Sequence, residues 1–284
     1  MISGHTLVYG LVGHPVRHSL SPEMHTTLFK ELGLDAVYVA FDVDPKDAHK
    51  VADAVRTLDV RGVNLTIPFK EGVLGHLDRV TVAGDEAGAV NCIVNLEGFL
   101  TGYNTDGEGL LMALEEEHGF SPRGRRIVVL GAGGAGRAIA ASMGAARARE
   151  VTILNRTVTR AEEAATRIQR RQLHTAYRGG PLDPDGFDAV VERADLVVNC
   201  LGGGAEATVR AFPFERLKET AIWNDINYWM PNPPGLAECA ALGLRVSDGL
   251  GMLLHQGALS FELFTGHPVE VSRLRALFRE RERG

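Results

Sequence analysis

Apolar and polar positions along this chain switch repeatedly between two periods. Runs rich in β-branched and aromatic residues at 7–12, 36–42, 62–66, 125–130, 151–154, 195–200, 221–226 and 245–246 read as strands, because such side chains fit a pleated, buried surface. Residues 22–31, 47–58, 107–117, 249–266 and 271–282 carry helical patterns instead. Ser21 is placed to N-cap the first helix, with Pro22 in the favoured first position. Pro68 ends the third strand, since proline cannot donate to an interior ladder. Residues 89–95 and 99–103 read as paired short strands around Glu97-Gly98. Strands alternating with helices predict an α/β architecture with parallel sheets. The expected division is two α/β domains, 1–106 plus 249–284 and 107–248, the last helices returning to the first domain.

The run 127–130 leads directly into Gly131-Ala132-Gly133-Gly134-Ala135-Gly136, which opens an apolar helix. Gly131, Gly133 and Gly136 fit GxGxxG. The first glycine permits a tight turn, the second lets the backbone approach a pyrophosphate, and the third allows close helix–strand packing. Amides and dipole at the helix start then favour an anion. A glycine-rich turn without a ligand is the competing reading in a chain with 33 glycines. The strand before and the helix after favour a dinucleotide. The next strand ends at Asn155-Arg156-Thr157, with Arg160 one helical turn on. An NAD site usually carries Asp or Glu there. Guanidinium groups suit the 2′-phosphate of NADP, and a surface arginine pair is the alternative.

Composition narrows the classes. Hydrophobic residues make up 45% of 284 and charged residues 23%, which supports a packed core. A net charge of −6 gives no sign of a nucleic-acid binder. Cys92, Cys200 and Cys239 are odd in number and form no CxxC, so free thiols in a reducing cytoplasm are expected rather than disulfides or structural zinc. The first ten residues do not read as a signal peptide. The most membrane-like stretch, 127–146, holds five glycines and Arg137 and reads as a nucleotide loop, not a span. The ten histidines read as core or surface residues, and no metal is expected.

Polar clusters mark the first unit. Ser19 and Ser21, two apart on a loop after the first strand, both suit a cleft, or simple turn and capping chemistry. Lys70 stands just past a strand end, where a surface charge is the ordinary alternative. Asp106 falls at the joint between the two units, facing a ligand cleft or capping the helix that follows.

Seven blocks then occur in one order and spacing: Ser19-Leu20-Ser21-Pro22, residues 64–70 (NLTIPFK), Gly88-Ala89-Val90-Asn91, Asn104-Thr105-Asp106-Gly107, the glycine loop, Asn155-Arg156-Thr157, and residues 249–257 (GLGMLLHQG). Together they resemble the shikimate/quinate dehydrogenase family from about residue 8 to 268. The resemblance implies an N-terminal substrate domain and a doubly wound Rossmann domain binding NADP(H). It also implies reversible NADPH-dependent reduction of 3-dehydroshikimate to shikimate in aromatic amino acid biosynthesis. By the same resemblance Lys70 and Asp106 would be the catalytic pair. Ser19 and Ser21 would bind the ring carboxylate, and Thr66, Asn91, Gln256 and Tyr228 the rest of the ring. Gly131, Gly133, Gly134, Ala135, Gly136, Asn155, Thr157 and Gly249 would line the cofactor, with Arg156 and Arg160 clamping its 2′-phosphate. A ketone that accepts hydride becomes an alkoxide, so a lysine that stabilises charge and donates a proton fits the reaction. The expected partner is a small molecule, with no nucleic acid and no membrane; a homodimer is compatible with the sequence, which does not fix the oligomeric state.

The chain departs from the family pattern in places. Asn199-Cys200-Leu201-Gly202-Gly203-Gly204 replaces an Asn-Ala-Thr segment followed by Gly-Met, and its three glycines suggest a flexible or closely approached loop. Residues 229–235 (WMPNPPG) lack the usual Thr-Pro, and Thr26 stands where Asn is common. The alternatives are a quinate or aminoshikimate paralogue and a non-catalytic NADP-binding regulator. Retention of Lys70 and Asp106 speaks against the regulator.

Overall fold

Two six-stranded sheets organise the chain, each in its own unit: Met1–Thr105 with Leu254–Gly284, and Asp106–Leu253. The computed structural model describes residues 2–230 and 233–281. Pro231 and Asn232, part of one departure noted above, and Glu282, at the end of the last expected helix, lie outside the described residues.

The first unit runs β1 (Leu7–Gly13), α1 (Ser21–Glu31), β2 (Ala36–Asp42), α2 (Val51–Thr57), β3 (Gly62–Leu65), β4 (Arg79–Val80), α3 (Val82–Ala87), β5 (Cys92–Leu96) and β6 (Phe99–Tyr103). Its sheet order is β2-β1-β3-β5-β6-β4. It is mixed rather than parallel throughout: β1 pairs in parallel with β2 and β3, whereas β5 is antiparallel to β3 and β6. The pairing of β5 with β6 follows from the two-residue turn Glu97-Gly98, where φ of +53° and +87° supplies the twist a tight hairpin requires. Two expectations need correction. Residues 47–58 are not one helix: the Asp44 carboxylate accepts the Lys46 N–H at 3.0 Å and starts a 3-10 turn over Pro45–Lys50 before α2. Ser21 does not cap α1 but is its first residue; Leu20 stands at the cap, and the Ser19 hydroxyl accepts the Ser21 N–H at 3.2 Å.

The second unit runs α4 (Asp106–His118), β7 (Arg126–Leu130), α5 (Gly134–Ala145), β8 (Glu150–Asn155), α6 (Val158–Gln169), β9 (Ala176–Pro181), α7 (Pro184–Val191), β10 (Leu196–Asn199), α8 (Glu206–Arg210), β11 (Ile222–Asp225), α9 (Leu236–Ala241) and β12 (Arg245–Ser247). All pairings are parallel, in the order β12-β11-β10-β7-β8-β9, which is the doubly wound arrangement. Each central strand is buried on both faces. Ile127 and Val129 of β7 join Leu110, Ile139 and Ile153 on one side. Val128 and Leu130 join Phe187, Val197 and Trp223 on the other. This alternation is why these strands read as unbroken apolar runs. Each such side chain, fully buried, contributes roughly 1.5–3 kcal/mol.

α10 (Leu250–Thr265) and α11 (Val271–Arg281) follow. The division between the units falls inside α10, between Leu253 and Leu254, where the sequence suggested 248/249. The latter half of α10 belongs to the first unit: Tyr9 Oη donates to the Phe264 carbonyl at 3.3 Å, and Tyr9, Phe29, Phe261 and Phe264 form one aromatic cluster.

Candidate functional site

In the first unit, four stretches bring the expected substrate residues to the carboxyl end of the sheet. The loop after β1 carries Ser19, and α1 opens with Ser21. Thr66 follows β3 directly, and its N–H donates to Val12 at the end of β1 at 2.9 Å. Asn91 lies beside it, since the Leu65 N–H donates to the Asn91 carbonyl at 2.8 Å. The Val90 N–H donates to the Lys70 carbonyl at 2.8 Å, which fixes the backbone of the half-buried Lys70 next to Asn91. Gln256 arrives on α10, its Oε1 3.5 Å from Asn91 Nδ2.

Behind this group runs a buried polar chain. Asn91 Oδ1 accepts the Thr105 N–H at 2.8 Å, and Asn91 Nδ2 donates to Thr105 Oγ1 at 2.9 Å. Thr105 Oγ1 lies 3.2 Å from Ser260 Oγ, which donates to the Gln256 carbonyl at 2.9 Å. Asn64 Nδ2 donates to the same Ser260 hydroxyl at 2.9 Å, and Asn64 Oδ1 accepts from Tyr38 Oη at 2.9 Å. Buried amides satisfied on both ends hold one rotamer, because breaking either bond strands a desolvated group. Thr105, Ser260 and Tyr38 escaped the sequence reading; nothing local marks residues that lie up to 196 positions from their partners.

In the second unit, the glycine loop sits where β7 and β10 diverge from opposite sides of the chain order, the position at which doubly wound sheets bind ligands. Gly131 has φ of +104°, a conformation L side chains rarely adopt. A Cβ on Gly136 would lie 2.0 Å from the Gly131 carbonyl oxygen, so only glycine lets the helix start this close. A Cβ on Gly133 would meet no atom within 4 Å, so the backbone there is open to an incoming group. α5 starts at Gly134, and no side chain caps it, which leaves its first-turn amides suited to an anion. Asn155 ties this loop to the end of β8: its Oδ1 accepts the Ala132 N–H at 3.1 Å and its Nδ2 donates to the Thr157 carbonyl at 3.0 Å. Arg156 and Arg160 are exposed beyond that strand. These residues fit a 2′-phosphorylated dinucleotide.

Gly249 and Tyr228 also come together, since a Cβ on Gly249 would lie 2.2 Å from the Ile226 carbonyl and 2.9 Å from the Tyr228 nitrogen. Asp106 is buried and is itself the first residue of α4, not a cap before it. Gly202, Gly203 and Gly204 are exposed, and side chains at 202 or 204 would meet nothing within 4 Å; this loop is not one closely approached by other backbone. Asn199, Asp225 and Asn227 form a buried set here that the sequence reading passed over. Burial pushes the Asp225 carboxyl above the usual carboxylate range, opposed by N–H donors from Asn227 and Asn199. The available signal was two neighbouring apolar strands that each end in a polar residue, Asn199 and Asp225.

His14 and His18 lie four apart after β1, but His14 Nδ1 is 2.7 Å from Asp42 Oδ1. Among the described residues no cluster of three His, Cys, Asp or Glu could hold a metal. The three cysteines are free thiols.

Comparison with known proteins finds relatives over nearly the whole chain. The family model for the shikimate dehydrogenase substrate binding domain matches residues 11–93. The models for shikimate / quinate 5-dehydrogenase and for the shikimate 5'-dehydrogenase C-terminal domain match 114–223 and 249–277. A shikimate dehydrogenase (NADP(+)) of Methanopyrus kandleri is 42% identical over 277 residues, 96% of this chain and 95% of that one. The crystal structure of shikimate 5-dehydrogenase from Thermus thermophilus in complex with NADP(H) and shikimate is 38% identical, with a TM-score of 0.80 over 94% of this chain and 96% of that one. That of the Listeria monocytogenes enzyme in complex with shikimate and NAD has a TM-score of 0.87 at 33% identity, covering 98% of each chain.

Proposed function

This chain belongs to the shikimate dehydrogenase family, and we propose that it interconverts 3-dehydroshikimate and shikimate with NADPH in the route to aromatic amino acids. The observation that carries the substrate assignment is the gathering of Thr66, Lys70, Asn91 and Gln256 from separate stretches onto one sheet end. Ser19, on the adjoining loop, and Ser21, at the start of α1, would offer hydroxyls to a ring carboxylate. Asn91, its amide held at both ends by Thr105, offers a fixed amide to a ring hydroxyl, Gln256 offers its own amide from α10, and Tyr228 offers a phenol.

NADPH supplies the hydride. The amides at the start of α5 would hold its pyrophosphate, and Arg156 and Arg160 its 2′-phosphate. Lys70 stabilises negative charge on the carbonyl oxygen as it becomes an alkoxide and returns a proton to it. Asp106 accepts a hydrogen bond from the substrate and orients the reacting carbon.

The test is an assay at the nicotinamide absorbance with 3-dehydroshikimate, shikimate and quinate, each with NADP(H) and NAD(H). Efficient turnover of shikimate with NADP is expected. A preference for quinate would reassign the substrate within the family. Among the described residues no helix is long and apolar enough to cross a membrane. We place the enzyme in the cytoplasm and take a homodimer as the assembly to test by sedimentation.

A further inference from the structure

Asn199 and Asp225 end β10 and β11 and are direct register partners across the sheet. Asp225 is completely buried, and its hydrogen-bond partners are all neutral N–H groups: Asn199 Nδ2 at 2.6 Å, the Asn227 backbone N–H at 2.8 Å and Asn227 Nδ2 at 2.7 Å. Its two oxygens accept all three of these bonds, so both asparagines turn their NH2 groups toward it. That choice decides where their remaining atoms point. Asn199 Oδ1 is left to accept the Leu201 N–H at 3.2 Å, and the second Nδ2 hydrogen of Asn227 reaches the Leu201 carbonyl at 2.9 Å. Leu201 is thus gripped at both its N–H and its C=O. Its Cδ2 and the Cys200 carbonyl lie 3.2 and 3.3 Å from the position of a Cβ on Gly131. The gripped segment is therefore a wall of the glycine turn.

We propose that Asp225 is a positioning residue of the cofactor site. Acting through Asn199 and Asn227, it fixes Leu201 against the Gly131 turn and keeps the loop in the shape the dinucleotide meets. This rests on the reading of that turn as the NADP cradle. The brace explains how a loop that continues into three exposed glycines keeps one position at its root.

The experiment is NADPH fluorescence titration of the full chain, without substrate, alongside steady-state kinetics and thermal melting. Asp225→Asn keeps the shape but turns an NH2 against an asparagine NH2, so Kd for NADPH should rise about tenfold or more, the scale of one stranded buried donor. KM for NADPH should rise with it, while kcat at saturating NADPH changes less. The double variant Asn199→Asp with Asp225→Asn exchanges donor and acceptor across the pair. It still accepts the Leu201 N–H and still offers an oxygen to Asn227, so affinity should return to within about threefold of the parent. A folded Asp225→Asn variant with unchanged Kd overturns the proposal. So does a folded double variant that binds as weakly as the single one. If the single variant does not fold, the double variant decides: near-parent affinity supports the brace and weak binding overturns it. A parent chain that does not bind NADPH overturns the cofactor reading and the brace together, an outcome distinct from the others.

Discussion

The imidazole of His25 lies flat on the phenol of Tyr38, ring centroids 4.3 Å apart and planes within 8° of parallel. His25 is buried, and its Nδ1 has no hydrogen-bond partner among the described residues. Burial pushes its pKa from 6.5 down to about 3, so the folded protein holds it neutral. The unfolded chain binds a proton there below pH 6.5, and the folded chain does not until about pH 3. Stability from this group is therefore complete above pH 6.5 and falls on acidification through that window, by up to about 1.4 kcal/mol per pH unit. His25→Phe keeps a stacking ring with nothing to titrate. Urea unfolding between pH 7 and 4.5 should show a shallower loss of stability in the variant, and equal slopes would refute the assignment.

Arg156 stands exposed past the end of β8, and makes no hydrogen bond or ion pair with a described residue. Each charge-assisted contact to a 2′-phosphate contributes about 1.5–3 kcal/mol, or roughly ten- to a hundredfold in affinity. Arg156→Ala should weaken NADPH by that factor and leave NADH nearly unchanged. Equal weakening of both cofactors would assign the arginine to the fold alone.

Lys70→Ala should lower kcat and kcat/KM together by about 10²–10⁴-fold, the range for a positioned acid or base. NADPH affinity and melting temperature should hold, because the side chain is half-buried and outside the apolar core of its unit. A variant whose KM for the ring rises while kcat holds would make Lys70 a binding group, and the proton would have to come from elsewhere.

Gly136→Ala drives a methyl toward a backbone oxygen 2.0 Å away, and backbone cannot swing aside as a side chain does. A cost of about 1–3 kcal/mol in stability is expected, together with loss of NADPH binding as the turn opens. Melting and titration of the purified variant check both, and a parent-like Kd would show that the cradle tolerates a wider turn.

The elements that packing dictates were legible. β7 and β10 are buried on both faces, and their apolar runs announced them. The glycine loop was legible because backbone approach leaves a residue-level mark. β9 was not: Ala176–Pro181 contains Gly179, Gly180 and Pro181, residue types depleted in strands. It is an edge strand with parallel pairing on one side, and glycine is required because a Cβ at 179 would lie 2.4 Å from the Glu162 nitrogen on α6. The antiparallel pairing of β5 with β3 was hidden for a different reason, since short strands carry no record of direction. The residues that support the site from behind, Thr105, Ser260, Asn199 and Asp225, are ordinary polar residues in sequence. Only the fold reveals that each is buried against a partner far along the chain.

The aromatic cluster of Tyr9, Phe29, Phe261 and Phe264 joins segments that lie on either side of the second unit in sequence. The second unit, by contrast, is one uninterrupted stretch, Asp106–Leu253. On the ribosome the order of completion therefore inverts the order of synthesis. The early residues emerge first but lack Phe261 and Phe264, while the later segment has all of its strands once Ser247 is out. Domains form as units when their parts are present, so the nucleotide half closes its core first. The substrate half waits, with Tyr9 and Phe29 uncovered, for the last helices to be translated.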